Sequence, residues 1–141
     1  MAVLDETDRA IIAALRGDAR MSVTELAGVV GVSRTTAATR LEALVEAGRI
    51  RRFTIETDTD VEGEVRAITM IELQGSMSRA VVRALRKLPE VYTLWSTNGA
   101  WDLVVEIRCD SLVSFDRALR EIREIKGVAN SESSLLLAHV G

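Results

Sequence analysis

The chain has 141 residues, a formal net charge of −3, and 48% hydrophobic with 28% charged residues, a globular balance with enough apolar material for a core. No stretch approaches the roughly 20 consecutive apolar residues of a membrane helix, and the start of the chain turns acidic at once, unlike a signal peptide. One cysteine, Cys109, excludes an internal disulfide and a cysteine-built zinc site, so the composition points to a cytoplasmic chain without metal, other cofactor or membrane attachment.

The first third reads as three short helices. Asp5 or Thr7 is suited to cap a helix running to about Arg16, with Ile11, Ile12 and Leu15 on one face. Ser22-Val23-Thr24-Glu25 has the form of a capping box, in which serine and glutamate satisfy each other's backbone amides. The helix it opens carries Leu26, Ala27 and Val30 and breaks at Gly31, after which Val32 is expected to plug the core. Ser33 is a further good N-cap, and the third helix is predicted to run to about Ala47 and stop at Gly48. Its apolar stripe is Ala37, Leu41, Leu44 and Val45. Two helices joined through a tight glycine turn, with a small residue where they approach, predict a helix-turn-helix.

Beyond Gly48 the pattern changes. Ile50 to Ile55 alternates, as a short strand or wing would, and Thr54 to Glu64 is polar and acidic, as a linker would be. Val65 to Leu73 suits a strand, and Ser78 to Leu88 suits a helix closed by Pro89. Val91 to Ser96 and Trp101 to Arg108 suit two strands around an Asn-Gly hairpin signal in Thr97 to Ala100. Ser111 is placed to cap a helix carrying Leu112, Phe115, Leu119 and Ile122, and Val128 to Val140 suits a last strand. The predicted fold is α+β: a winged-type three-helix helix-turn-helix domain (1–53), a linker (54–64) and a ferredoxin-like βαββαβ domain (65–141).

The charge is unevenly spread. Between Ser33 and Phe53 five arginines (Arg34, Arg40, Arg49, Arg51 and Arg52) stand against two glutamates, a basic patch on an acidic protein. Opposite the apolar stripe, the third helix offers Thr35, Thr36 and Thr39, flanked by Ser33, Arg34 and Arg40. Arg51 and Arg52 follow just past its end. Short hydroxyl residues and arginines suit base edges and phosphates of double-stranded DNA, whereas periodicity alone also fits a protein-interaction bundle. Cys109, His139, Trp95 and the Arg/Glu run from Arg117 to Glu124 read as packing or surface residues.

Several of these residues recur in a known pattern. Leu4-Asp5, Asp8-Arg9, Ile11-Ile12, Leu15, Asp18-Ala19-Arg20, Glu25-Leu26-Ala27, Gly31-Val32-Ser33, Arg40-Leu41, Leu44 and Gly48-x-Ile50-Arg51 resemble the Lrp/AsnC family of transcription regulators. The likeness continues through Leu88-Pro89-Glu90-Val91, Gly99-x-x-Asp102-Leu103 and Gly127-Val128. It implies a DNA-binding head and a domain that pairs chains as dimers, which build octamers or similar rings. It also implies a small-molecule effector, commonly an amino acid, near the loop Asn98-Gly99-Ala100-Trp101-Asp102. Gly99 would let backbone amides approach a carboxylate and Asp102 would face an ammonium group; equally, the loop is an ordinary turn that Asp102 fixes. Arg34 stands where the family often has proline, and Ala38 where a basic residue is common. Two other outcomes stay open: an enzyme of the sirohaem decarboxylase type, which relies on histidines where this chain has only His139, and an effector-free assembly partner.

Overall fold

In a computed structural model, which describes residues 3–57 and 63–141, the chain divides into two units, Met1–Glu56 and Thr57–Gly141. Of the expected linker, Asp58, Asp60 and Glu62 lie outside the described residues.

Capping chemistry decides where the helices of the first unit begin. Helix α1 (Glu6–Gly17) starts at Asp5, whose carboxylate accepts from the Asp8 amide while the Asp8 carboxylate accepts from the Asp5 amide. Helix α2 (Val23–Val30) starts at the reciprocal Ser22/Glu25 box, and Gly31, at φ 79°, ends it in the left-handed conformation that favours glycine. Helix α3 (Arg34–Glu46) starts at Ser33, whose hydroxyl accepts from the Thr36 amide at 3.1 Å. Ile11, Leu15, Leu26 and Leu44 form the core, with Ala27 and Ala37 buried beside them. Each large side chain so buried contributes about 1.5–3 kcal/mol.

Three expectations fail here. Val45 is 44% exposed, because at 100° per residue it lies at the edge of the arc centred on Ala37, Leu41 and Leu44. Residues 51–57, which include most of the expected strand or wing, adopt neither helix nor strand. An alternating segment gains nothing as a strand unless a neighbouring strand takes its backbone hydrogen bonds. Val32 is half-buried and outside the core cluster.

The second unit runs β1 (Val65–Leu73), α4 (Ser78–Leu85), β2 (Val91–Ser96), β3 (Leu103–Cys109), α5 (Leu112–Glu124) and β4 (Val128–Leu135). Its sheet has the order β2-β3-β1-β4 with every neighbouring pair antiparallel, as the βαββαβ reading requires. Strand alternation sends Ala67, Ile71, Leu103, Val105 and Ile107 to one face, where Val81 and Leu85 of α4 and Phe115 and Ile122 of α5 cover them. Thr69 is fully buried in the same layer and its hydroxyl is satisfied by the Ser133 hydroxyl at 2.7 Å. Among the described residues of this unit no helix covers the opposite face of the sheet: the row Trp95, Val104 and Met70 runs across it, beside the Thr93, Glu106 and Ile68 row.

The element ends differ from expectation in three places. Helix α4 stops at Leu85, and β4 stops at Leu135. The β2–β3 connection is the six-residue stretch 97–102, and Gly99 is not among the glycines with positive φ, so no tight Asn-Gly turn forms. Among the described residues no helix is long and apolar enough to cross a membrane, and no cluster of His, Cys, Asp and Glu is arranged to hold a metal ion.

Candidate nucleic-acid interface and effector loop

The face of α3 opposite Ala37 and Leu44 is open. Ser33, Arg34, Thr35, Thr36 and Thr39 are all exposed, as are Arg51 and Arg52 beyond the helix. They are not equivalent. The Ser33 hydroxyl caps the helix and donates to the Thr36 hydroxyl at 2.9 Å, so this pair is committed to starting α3. Among the described residues, the side chains of Arg34, Thr35 and Thr39 have no polar partner within the chain. Arg34 and Thr35 occupy the first turn, where unsatisfied backbone amides and the positive end of the helix dipole attract a phosphate.

Arg40 behaves otherwise. Expected among the DNA-facing residues, it turns its guanidinium onto the capping box of α1: Nη1 donates to Asp5 and, at 3.3 Å, to Asp8. The Asp8 amide and then the Arg40 guanidinium hold the Asp5 carboxyl below the usual aspartate range, and Asp5 followed by Asp8 raises the guanidinium in turn. Three charged groups thus tie the start of α1 to the middle of α3. Sequence reasoning named Asp5 as a possible cap but missed Asp8 and this tie. The D-x-x-D spacing of a capping box was the signal available.

The loop of the second unit is closed from within. The Thr97 amide donates to the Asp102 carbonyl at 3.0 Å, the Thr97 hydroxyl donates to the Trp101 carbonyl, and the Asp102 amide donates to the Ile71 carbonyl at 2.9 Å. The Asp102 carboxylate accepts from the Leu73 amide at 2.7 Å, which fastens the loop to the end of β1. Of the expected effector residues, Asn98, Gly99 and Ala100 form an exposed tip and Trp101 is half-buried. Asp102 therefore supports the loop with one carboxylate oxygen, and the tip itself carries no charged side chain. A Cβ on Gly99 would meet nothing within 4 Å, so the chain's own packing does not require glycine there.

Comparison with known proteins follows this division. Residues 4–45 match the AsnC-type helix-turn-helix domain and residues 66–140 match the Lrp/AsnC ligand binding domain. The HTH-type transcriptional regulator LysM of Saccharolobus solfataricus is 34% identical over 95% of this chain and 94% of its own length. The structure of E. coli AsnC superposes with a TM-score of 0.71 at 27% identity, covering 98% of this chain and 95% of that one. A transcriptional regulator from Neisseria meningitidis, solved in complex with L-Met, has a TM-score of 0.73 at 24% identity, over 99% of this chain and 93% of that one. A helix-turn-helix head followed by a βαββαβ ligand-binding domain, in this order and at nearly full length, makes the chain a transcriptional regulator of the Lrp/AsnC family.

Proposed function

We propose that the chain is a sequence-specific regulator acting in the cytoplasm, which reads DNA with the N-terminal half of α3 and changes that binding when an amino acid occupies the loop Asn98–Asp102. The observation that carries this reading is the exposed set Arg34, Thr35 and Thr39 on a helix whose other face is buried at Ala37 and Leu44. A guanidinium at the helix start suits a guanine edge or a phosphate, and the threonines suit a thymine methyl or a phosphate. Ser33 and Thr36 set the start of that helix, Arg40 orients it, and Arg51 and Arg52 add attraction to the DNA backbone. In the loop, the amides around Gly99 would take the effector's carboxylate, and Asp102 would hold the loop in shape while facing the ammonium. The L-Met complex of the Neisseria regulator supports an amino acid as the ligand class. Dimers would form across the uncovered sheet face and assemble into octamers or similar rings, so that paired heads read two half-sites.

The test is genomic footprinting of the wild type, with and without a panel of amino acids, followed by variants on the mapped site. Arg34→Ala should weaken binding by about 1–3 kcal/mol and relax preference at one base position, and Arg51→Ala should lower the salt slope by about 1 without changing preference. Gly99→Asp should abolish the amino-acid response and leave DNA binding intact. Wild-type affinity in the Arg34 and Arg51 variants would remove α3 as the reading surface, and an unchanged response in the Gly99 variant would move the effector elsewhere.

A further inference from the structure

The strongest one-signed tract of the chain lies outside the helix-turn-helix. Between Leu73 and Pro89 the sequence carries Arg79, Arg83, Arg86 and Lys87 and no carboxylate. Arg79, Arg83 and Arg86 recur at i, i+4 and i+7, so they share one stripe of α4 and its C-cap, opposite the buried Val81 and Leu85. All three are exposed, and with the half-buried Val82 they line a groove of about 360 Å³. Among the described residues none of the three has a carboxylate within ion-pair distance.

Helix α5 supplies the contrast inside the same unit. Its arginines are similarly spaced, yet Arg117 pairs with the nearly buried Glu90 at 2.8 Å and Arg120 pairs with Asp116 at 2.7 Å. The stripe on α4 is not neutralised in this way. Its geometry is unfavourable for the isolated chain, since like charges four residues apart repel. The helix dipole explains part of the ridge, because Arg83 and Arg86 sit at the C-terminal end, where cations are favoured. Arg79 occupies the first turn, where a cation is disfavoured. The helix dipole thus accounts for Arg83 and Arg86 but not for Arg79, and among the described residues no carboxylate offsets the ridge.

We infer that the Arg79–Arg83–Arg86 ridge of α4 is a second DNA-contacting surface, binding backbone phosphates without regard to sequence. This rests on the proposal that the chain binds DNA. The stripe spans about 10 Å of helix axis at 1.5 Å per residue. About 10 Å of duplex axis carries about three phosphates of each strand, at 3.4 Å of axial rise per nucleotide. Guanidinium groups hold phosphate oxygens in a bidentate fork, which favours this anion over the scattered carboxylates that a second copy would present.

The experiment uses the full chain and a duplex of about 150 bp, one persistence length. The variant Arg79→Gln/Arg83→Gln/Arg86→Gln keeps helix-forming side chains while removing three charges. Its control, Arg120→Gln/Arg123→Gln/Lys126→Gln, removes the same charge from and beyond α5. Affinity is followed against salt for a mapped site and for mixed sequence, with sedimentation velocity alongside. Loss of three phosphate contacts should lower the slope of log affinity against log salt by about 2 to 3 for both duplexes. The ratio between them, the oligomer size and the control's slope should stay unchanged. An unaltered slope, an equal fall in the control, or a changed oligomer size would each overturn the inference while leaving the reading head in place. A wild-type chain that binds neither duplex would remove the head and the ridge together.

Discussion

Arg40 lies one position from Thr39 and four from Thr36, where the sequence allows a phosphate contact, yet its guanidinium is spent on Asp5 and Asp8. We propose that Arg40 acts on DNA binding by positioning α3 through this tie. The pH dependence of this tie has a definite sign. Asp5 is held below its ordinary value by the Asp8 amide and then by Arg40, so its carboxylate stabilises the folded head above the unfolded value, near pH 4. That stabilisation is lost as pH falls through the depressed folded value. Asp5→Asn keeps a capping side chain but removes the charge that faces Arg40. Thermal unfolding should show the wild type more stable than this variant near neutral pH, with the gap closing below about pH 4. A gap that persists into strong acid would mean that Arg40 does not act through the Asp5 charge.

At the scale of elements, the clearest backbone requirement is where α5 hands over to β4. Gly127 has φ 107°, its carbonyl accepts from the Gln74 amide at 2.8 Å, and an added Cβ would lie 2.8 Å from both Met77 and Val81. Gly127→Ala combines backbone strain with overpacking against α4 and should cost about 2–4 kcal/mol, read from the denaturant midpoint. Gly99→Ala, which has neither problem, should leave the midpoint unchanged. A tolerated Gly127→Ala would show that α4 gives way freely. This pair also marks what the residues disclosed in advance. The helix starts at Ser22, Ser33 and Ser111, the strand Val65–Leu73 and the order of all six elements in the second unit were legible, because capping hydroxyls and period-two alternation are local signals. The β2–β3 loop was not, because its shape is set by Asp102 reaching the Leu73 amide, a contact 29 residues away. The pairing of Arg40 was hidden for the same reason: its partners lie 35 and 32 residues earlier.

For the whole molecule, the uncovered face of the sheet sets the expected assembly. Trp95 is 61% exposed and heads a row with Val104 and Met70, next to Ile68, while Arg66 and Arg108 both pair with Glu106 at 3.1 and 3.0 Å. Partial burial pushes the Glu106 carboxyl up, and Arg108 with Arg66 outweighs it, so the carboxylate stays charged at neutral pH and is held between two guanidinium groups. An apolar row bordered by an ion-paired group suits a two-fold contact with a second copy, where each residue meets its symmetry mate or a neighbour. Trp95→Arg puts a like charge into that contact in both copies, and because Trp95 is exposed within the chain the substitution should cost the isolated fold little. Sedimentation velocity on the full chain should then show monomers where the wild type assembles, with unchanged far-ultraviolet circular dichroism. DNA affinity should fall further than it does for Arg34→Ala, because separated heads lose the second half-site together with the effective concentration that pairing supplies. A Trp95→Arg chain that keeps the wild-type oligomer would place the subunit contact away from this face, and the paired reading of half-sites would then need a different geometry.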